Sequence, residues 1–116
     1  MIGSDESIVG RKIERKVVDD IWAATEAYKA SLKQGIPASV REATYENLRR
    51  ITYESKIYGE KPEDFLGPDF LENFNNYHDA YVVRSRVYEI INALMYSRIP
   101  KEKVFPVLQA IGVEVV

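Results

Sequence analysis

The stretch NFNNYHDAYVVRSRVYEII, residues 73 to 91, holds the side chains best equipped for chemistry: the only histidine, His78, with Tyr77, Tyr81, Tyr88, Arg84 and Arg86. A histidine acting as a general base needs a nucleophile or carboxylate close by, and one acting as a ligand needs further His, Asp or Glu three or four residues away. Positions 74, 75, 81 and 82 are Phe, Asn, Tyr and Val, so no such set surrounds His78. It reads as a hydrogen-bonded histidine at the edge of a core.

Arg84 stands between Tyr81 and Tyr88 on what reads as an apolar helix seam. A guanidinium in that position needs a carboxylate, several carbonyls or an aromatic face, unless the seam opens onto a phosphate or onto a partner's acidic side chain. The order His78 then Arg84 is the reverse of the Arg-then-His active-site pattern of the helical HEPN nuclease domains, so the chain fails to match that family where activity would reside.

Tyrosine is the unusual component, with eight residues spread over the helical segments. It offers large amphipathic contact area at low entropic cost, which suits protein interfaces, and it stacks on unpaired bases. It also fills the edge of a core that is short of Leu and Phe. The residues expected to meet a partner are Tyr77, Tyr81, Arg84 and Tyr88.

Basic residues gather at Arg11, Lys12, Arg15 and Lys16, and again at Arg49 and Arg50. On one continuous helix the pairs 11 with 15 and 12 with 16 would make a positive patch. Together with stacking tyrosines, these six residues define an alternative reading as a nucleic-acid-binding protein. Interspersed acids favour a merely solvated face. The adjacent carboxylates Asp19-Asp20 and Glu63-Asp64 point about 100° apart on a helix and cannot clamp one ion. Phosphate loops, nucleophile elbows and HExxH spacings are absent. No catalytic residue, metal site or cofactor is expected, and the chain reads as a non-enzyme.

The elements that must position these residues follow from punctuation and periodicity. Ile13, Val17, Ile21, Ala24, Tyr28 and Leu32 recur at helical spacing and predict a long helix over about 5–34, closed by Gly35 and Pro37. Ser39 and Glu42 form a capping-box pattern for a second helix that runs to Gly59, with Val40, Thr44, Leu48, Ile51, Ser55 and Tyr58 on one face. The connector GEKPEDFLGPD then leads into a third helix over about 69–98.

In that third helix Phe70, Phe74, Tyr77, Tyr81, Arg84, Tyr88, Ile91 and Met95 alternate in steps of four and three, the spacing of a heptad seam. A second line, Ala80, Val83, Val87, Ile90 and Leu94, makes its C-terminal half apolar on two sides, with Asn75, Asp79, Arg86 and Glu89 on the wet side. Pro106 is tolerated only in a first turn or at a break, which predicts a turn over 100–105 and a short helix over 105–111. The tail VEVV is β-branched and alternating, and should lie extended over the core or pair with another chain.

The expected fold is all-α: one domain, residues 1–116, built as a bundle of three long helices plus a short C-terminal helix, with an extended tail. A length of 116 residues, 46% hydrophobic and 29% charged, suits one self-sufficient core. The lack of cysteine removes thiol catalysis, Cys-ligated zinc and iron–sulfur clusters. No apolar run is long enough to span a membrane and no signal pattern opens the chain, so a cytoplasmic protein is expected. A net charge of −2 gives no general attraction to nucleic acid or acidic lipid. The absence of cysteine and scarcity of glutamine resemble a thermophile's composition. The functional expectation is an interaction or assembly protein that presents a Tyr-rich helical face to a protein partner or to itself, as a homo-oligomer.

Overall fold

The computed structural model describes residues 8–53 and 70–116, with side chains described for 8–52 and 80–116. Its elements in chain order are β1 (Lys12–Ile13), α1 (Arg15–Ser31), α2 (Ala38–Tyr53), α3 (Phe70–Tyr96), a single 3₁₀ turn (Lys101–Lys103), α4 (Val104–Ala110) and β2 (Glu114–Val115). The fold is all-α; among the described residues one short strand pair, β1 with β2, joins segments near the two ends of the sequence. Among the described residues, no helix is long and apolar enough to cross a membrane.

The first helix starts about ten residues later than the apolar spacing suggested. Residues 8–10 form a turn, with Gly10 at φ +82°, and the chain then runs extended through β1. The start of α1 has no side-chain cap. Instead the Arg15 N–H donates to the Val116 carbonyl at 3.0 Å, so the far end of the chain satisfies one of the helix's orphan donors. Ile13 continues the apolar pattern as a strand residue, which periodicity alone does not distinguish from a first helical turn.

The tail is extended, as expected, but it pairs with a strand of its own chain rather than with another chain. β2 pairs in parallel with β1, Lys12 opposite Glu114 and Ile13 opposite Val115. The Glu114 and Val116 N–H groups donate to the Arg11 and Ile13 carbonyls, both at 2.9 Å. Gly112 makes the approach possible: at φ +96° it turns the chain out of α4, and a Cβ there would stand 3.2 Å from a Val9 methyl.

The second helix starts at Ala38 rather than at a Ser39 cap. The Val40 and Arg41 N–H groups donate to the Pro37 carbonyl instead. Its buried positions are Leu48 and Thr52, while Val40 stands exposed. The expected positions Ser55 and Tyr58, and the connector over 59–69, lie outside the described residues.

In α3 the buried line is Val83, Val87 and Ile91, with Tyr81, Arg84, Tyr88 and Met95 only half-buried. The core thus lies between the heptad seam and the second apolar line, a rotation of about half a helical step, because α1, α4 and the strands pack on the side where the small β-branched residues allow closest approach. Beyond Tyr96 the chain breaks at Arg98, with φ +59°, and the Ile99 N–H donates back to the Leu94 carbonyl at 2.9 Å. Pro106 is the third residue of α4, where no intrahelical N–H bond is lost.

The main core joins Ile8, Ile13, Val18, Ile21, Val83, Val87, Ile91, Val104, Leu108 and Val113. It therefore sits where the two chain ends meet α1 and α3. The opposite end, around the α1–α2 turn, carries little of it.

Candidate interaction face

At that opposite end the tyrosines collect. The α1–α2 hairpin brings Tyr28 and Tyr45 together with ring centroids 5.7 Å apart, tilted by 52°. This spacing suits the ring quadrupoles better than face-to-face stacking. The contact is braced beneath: the Thr44 hydroxyl lies 2.9 Å from Ser31 Oγ, and Ser31 donates to the Tyr28 carbonyl at 2.6 Å. From α3, Tyr96 meets the Lys29 Nζ 3.2 Å from its ring centre. Tyr88 lines a cleft with Tyr45, and Tyr28, Tyr45 and Tyr96 all act on its hydroxyl. Burial first, and those neighbours second, push its hydroxyl pKa above the usual phenolic value.

Much of this group is open to solvent. Tyr96 is 73% and Tyr45 51% exposed, and Leu32, Ile36 and Val40 add exposed apolar surface at the α1–α2 turn. Among the described residues these are five of the seven large exposed apolar side chains, the other two being Val9 and Val116 near the strand pair; such clustering is what an interaction surface looks like, whereas scattered groups carry no message.

No family model matches the chain, and no curated protein or solved structure matches it either. The geometry alone supports a functional reading.

The residues singled out along 73–91 do not form one patch. Tyr88 belongs to the tyrosine group and lines a small cleft of about 60 Å³ with Tyr45, Leu48, Arg49 and Thr52. Arg84, one turn earlier, faces a different cleft of about 150 Å³ between β1 and α3, with Lys12, Glu14, Val17 and Ala80. Tyr81 and Arg84 are half-buried and each is engaged by a neighbour. Tyr77 and His78 stand on α3, and their side chains lie outside the described ones.

Sequence reasoning missed Tyr28, Tyr45, Lys29 and Tyr96. A signal was available in the hairpin: with the turn at Gly35–Pro37, positions 28 and 45 fall nearly level on antiparallel helices. No comparable signal places Tyr96 beside Lys29, because that contact depends on how α3 crosses the hairpin.

The basic residues are divided rather than joined. Arg11 and Lys12 lie before and within β1, not on α1, so the four-apart pairs expected with Arg15 and Lys16 do not exist. Lys16 is held by Asp20 at 2.7 Å, and that hydrogen bond raises its pKa. Arg15 lies over the Phe105 ring at 4.6 Å, Arg49 pairs with Glu46 at 3.4 Å, and Arg50 is exposed on α2. Among the described residues no group of three His, Cys, Asp or Glu could hold a metal ion.

Proposed function

We propose that this protein is a non-enzymatic interaction or assembly module, working in the cytoplasm, that presents its tyrosine face to another protein or to a second copy of itself. The observation that carries the reading is the gathering of Tyr28, Tyr45, Tyr88 and Tyr96, from three helices, beside the exposed Leu32, Ile36 and Val40. Rigid amphipathic rings set on helices lose little entropy on association and release water from a large apolar area. Lys29, stacked on Tyr96, supplies a cation at the rim without breaking that surface.

Size-exclusion chromatography with light scattering tests the self-association form. A mass above that of one chain at tens of micromolar, reduced to one chain by Tyr45→Ser with Tyr96→Ser, is the expected result. A wild-type protein that stays at one chain's mass discards self-association.

A further inference from the structure

Among the described residues, the two-stranded sheet leaves the outer edge of β2 without a strand beside it. The Glu114 and Val116 N–H groups point to β1. Alternation sends the Val115 N–H and C=O the other way, and among the described residues neither has a hydrogen-bond partner. Next to β2 lies a groove of about 440 Å³ lined by Phe105, Gly112, Val113 and Val115, with Arg15, Gln109 and Glu114 as its polar residues. The Arg15 guanidinium rests 4.6 Å from the Phe105 ring centre and, among the described residues, has no carboxylate within ion-pair distance.

We propose that this groove takes an extended peptide segment bearing a carboxylate side chain, which adds to β2 as a third strand and sets its carboxylate against Arg15. Each part of the site matches one part of that ligand. The Val115 N–H and C=O offer the main-chain pairing of strand addition, which is independent of peptide sequence. Phe105, Val113 and Val115 give the apolar wall for alternate side chains. Arg15, held over the Phe105 ring, has part of its freedom already restricted, so an incoming carboxylate pays less to order it. A second copy is the rival occupant: paired about Glu114 it would set two carboxylates directly opposite each other, which like charges oppose, and only pairing about Val115 avoids this. This site is at the other end of the molecule from the tyrosine face and does not depend on it.

The test is a titration of the full chain, followed by backbone amide NMR, with the blocked peptide Thr-Val-Glu-Val-Thr. Two controls are the same peptide with Lys for Glu and the same peptide N-methylated on alternate amides. Saturable binding with the largest shifts at Val113, Val115 and Gly112 is expected. The Lys peptide should bind about three- to fivefold more weakly, the size of a partly exposed ion pair. The N-methylated peptide should be weaker by about tenfold or more, since it cannot donate to the strand edge. Arg15→Gln, an exposed substitution, should bring the Glu and Lys peptides to equal affinity with circular dichroism unchanged. Absence of saturable shifts, equal binding of Glu and Lys peptides to the wild type, or shifts confined to another face would overturn the proposal. So would shifts at 113–115 that appear on concentrating the protein alone, which would mean that a second copy occupies the edge.

Discussion

Lys29 Nζ stands 3.2 Å above the ring centre of Tyr96, tying the last turn of α1 to the last residue of α3. The contact lies at the surface, so it should matter little for folding: Tyr96→Ala is expected to cost at most about 1 kcal/mol in urea denaturation. The same substitution should weaken association measured by light scattering at fixed concentration. A large stability loss with unchanged association would show that Tyr96 belongs to the folding core instead.

The buried line of α3 should behave in the opposite way. Ile91 is fully enclosed, and Ile91→Ala should cost about 2–5 kcal/mol, the range for a large aliphatic cut back in a packed interior. Urea melts of Val87→Ala, an enclosed position of the second line, and of Met95→Ala, a half-buried seam position, compare the two directions directly. A Met95 variant more damaging than the Val87 one would mean that the heptad seam, not the 83–87 side, faces the core.

Glycine conformation gives a second contrast. Gly112 and Gly35 both have positive φ, at +96° and +91°, but only Gly112 has Val9 atoms where a Cβ would stand. Gly35→Ala should therefore cost about 1–2 kcal/mol for the left-handed backbone alone. Gly112→Ala should cost more, because it also pushes the turn at Val9 away from β2. Thermal melts giving the two variants equal losses would refute the close approach.

Tyr88 predicts a limit at high pH. Its raised pKa means that the folded chain keeps the phenolic proton after the unfolded chain has lost it. Stability from this source is present below about pH 10, where an unfolded tyrosine titrates, and falls as pH rises past that point. Absorbance titration near the phenolate band should show a late-ionising tyrosine that disappears in Tyr88→Phe.

The divided basic residues predict weak engagement of nucleic acid. An electrophoretic titration with single-stranded RNA at low salt should show no shift at micromolar protein. A shift that weakens steeply with salt, and is lost in Arg49→Ala with Arg50→Ala, would instead support a phosphate-contacting surface.

What could be read from the residues depended on how local the determinant was. The helical class, the break at Gly35–Pro37 and the first-turn place of Pro106 rest on near neighbours, and all three are found. The late start of α1 and the pairing of VEVV were not legible, because each is set by the other end of the chain: Ile13 satisfies a helix pattern and a strand pattern equally until Glu114 and Val116 arrive to bond with it. The seam was misjudged by a fraction of a turn for a related reason. Tyr81, Tyr88 and Met95 repeat at heptad spacing while Val83 and Val87 form a second line, Ile91 bounds both, and the approach of α1 and α4 decides which side is enclosed. The tyrosine face mixes both cases, with Tyr28 and Tyr45 inferable from the hairpin and Tyr96 fixed by packing alone.

The clasp between Lys12–Ile13 and Glu114–Val115 also has a kinetic meaning. Its two halves are separated by almost the whole polypeptide, so the search that unites them is slow compared with winding any single helix. Until it is complete, Ile8 and Val113 cannot both be shielded from water. The amide protons of Glu114 and Val116, held by a two-residue strand pair, should exchange through local opening of the clasp, sooner than those of the enclosed Val87 and Ile91, making these two positions reporters of when the clasp is closed.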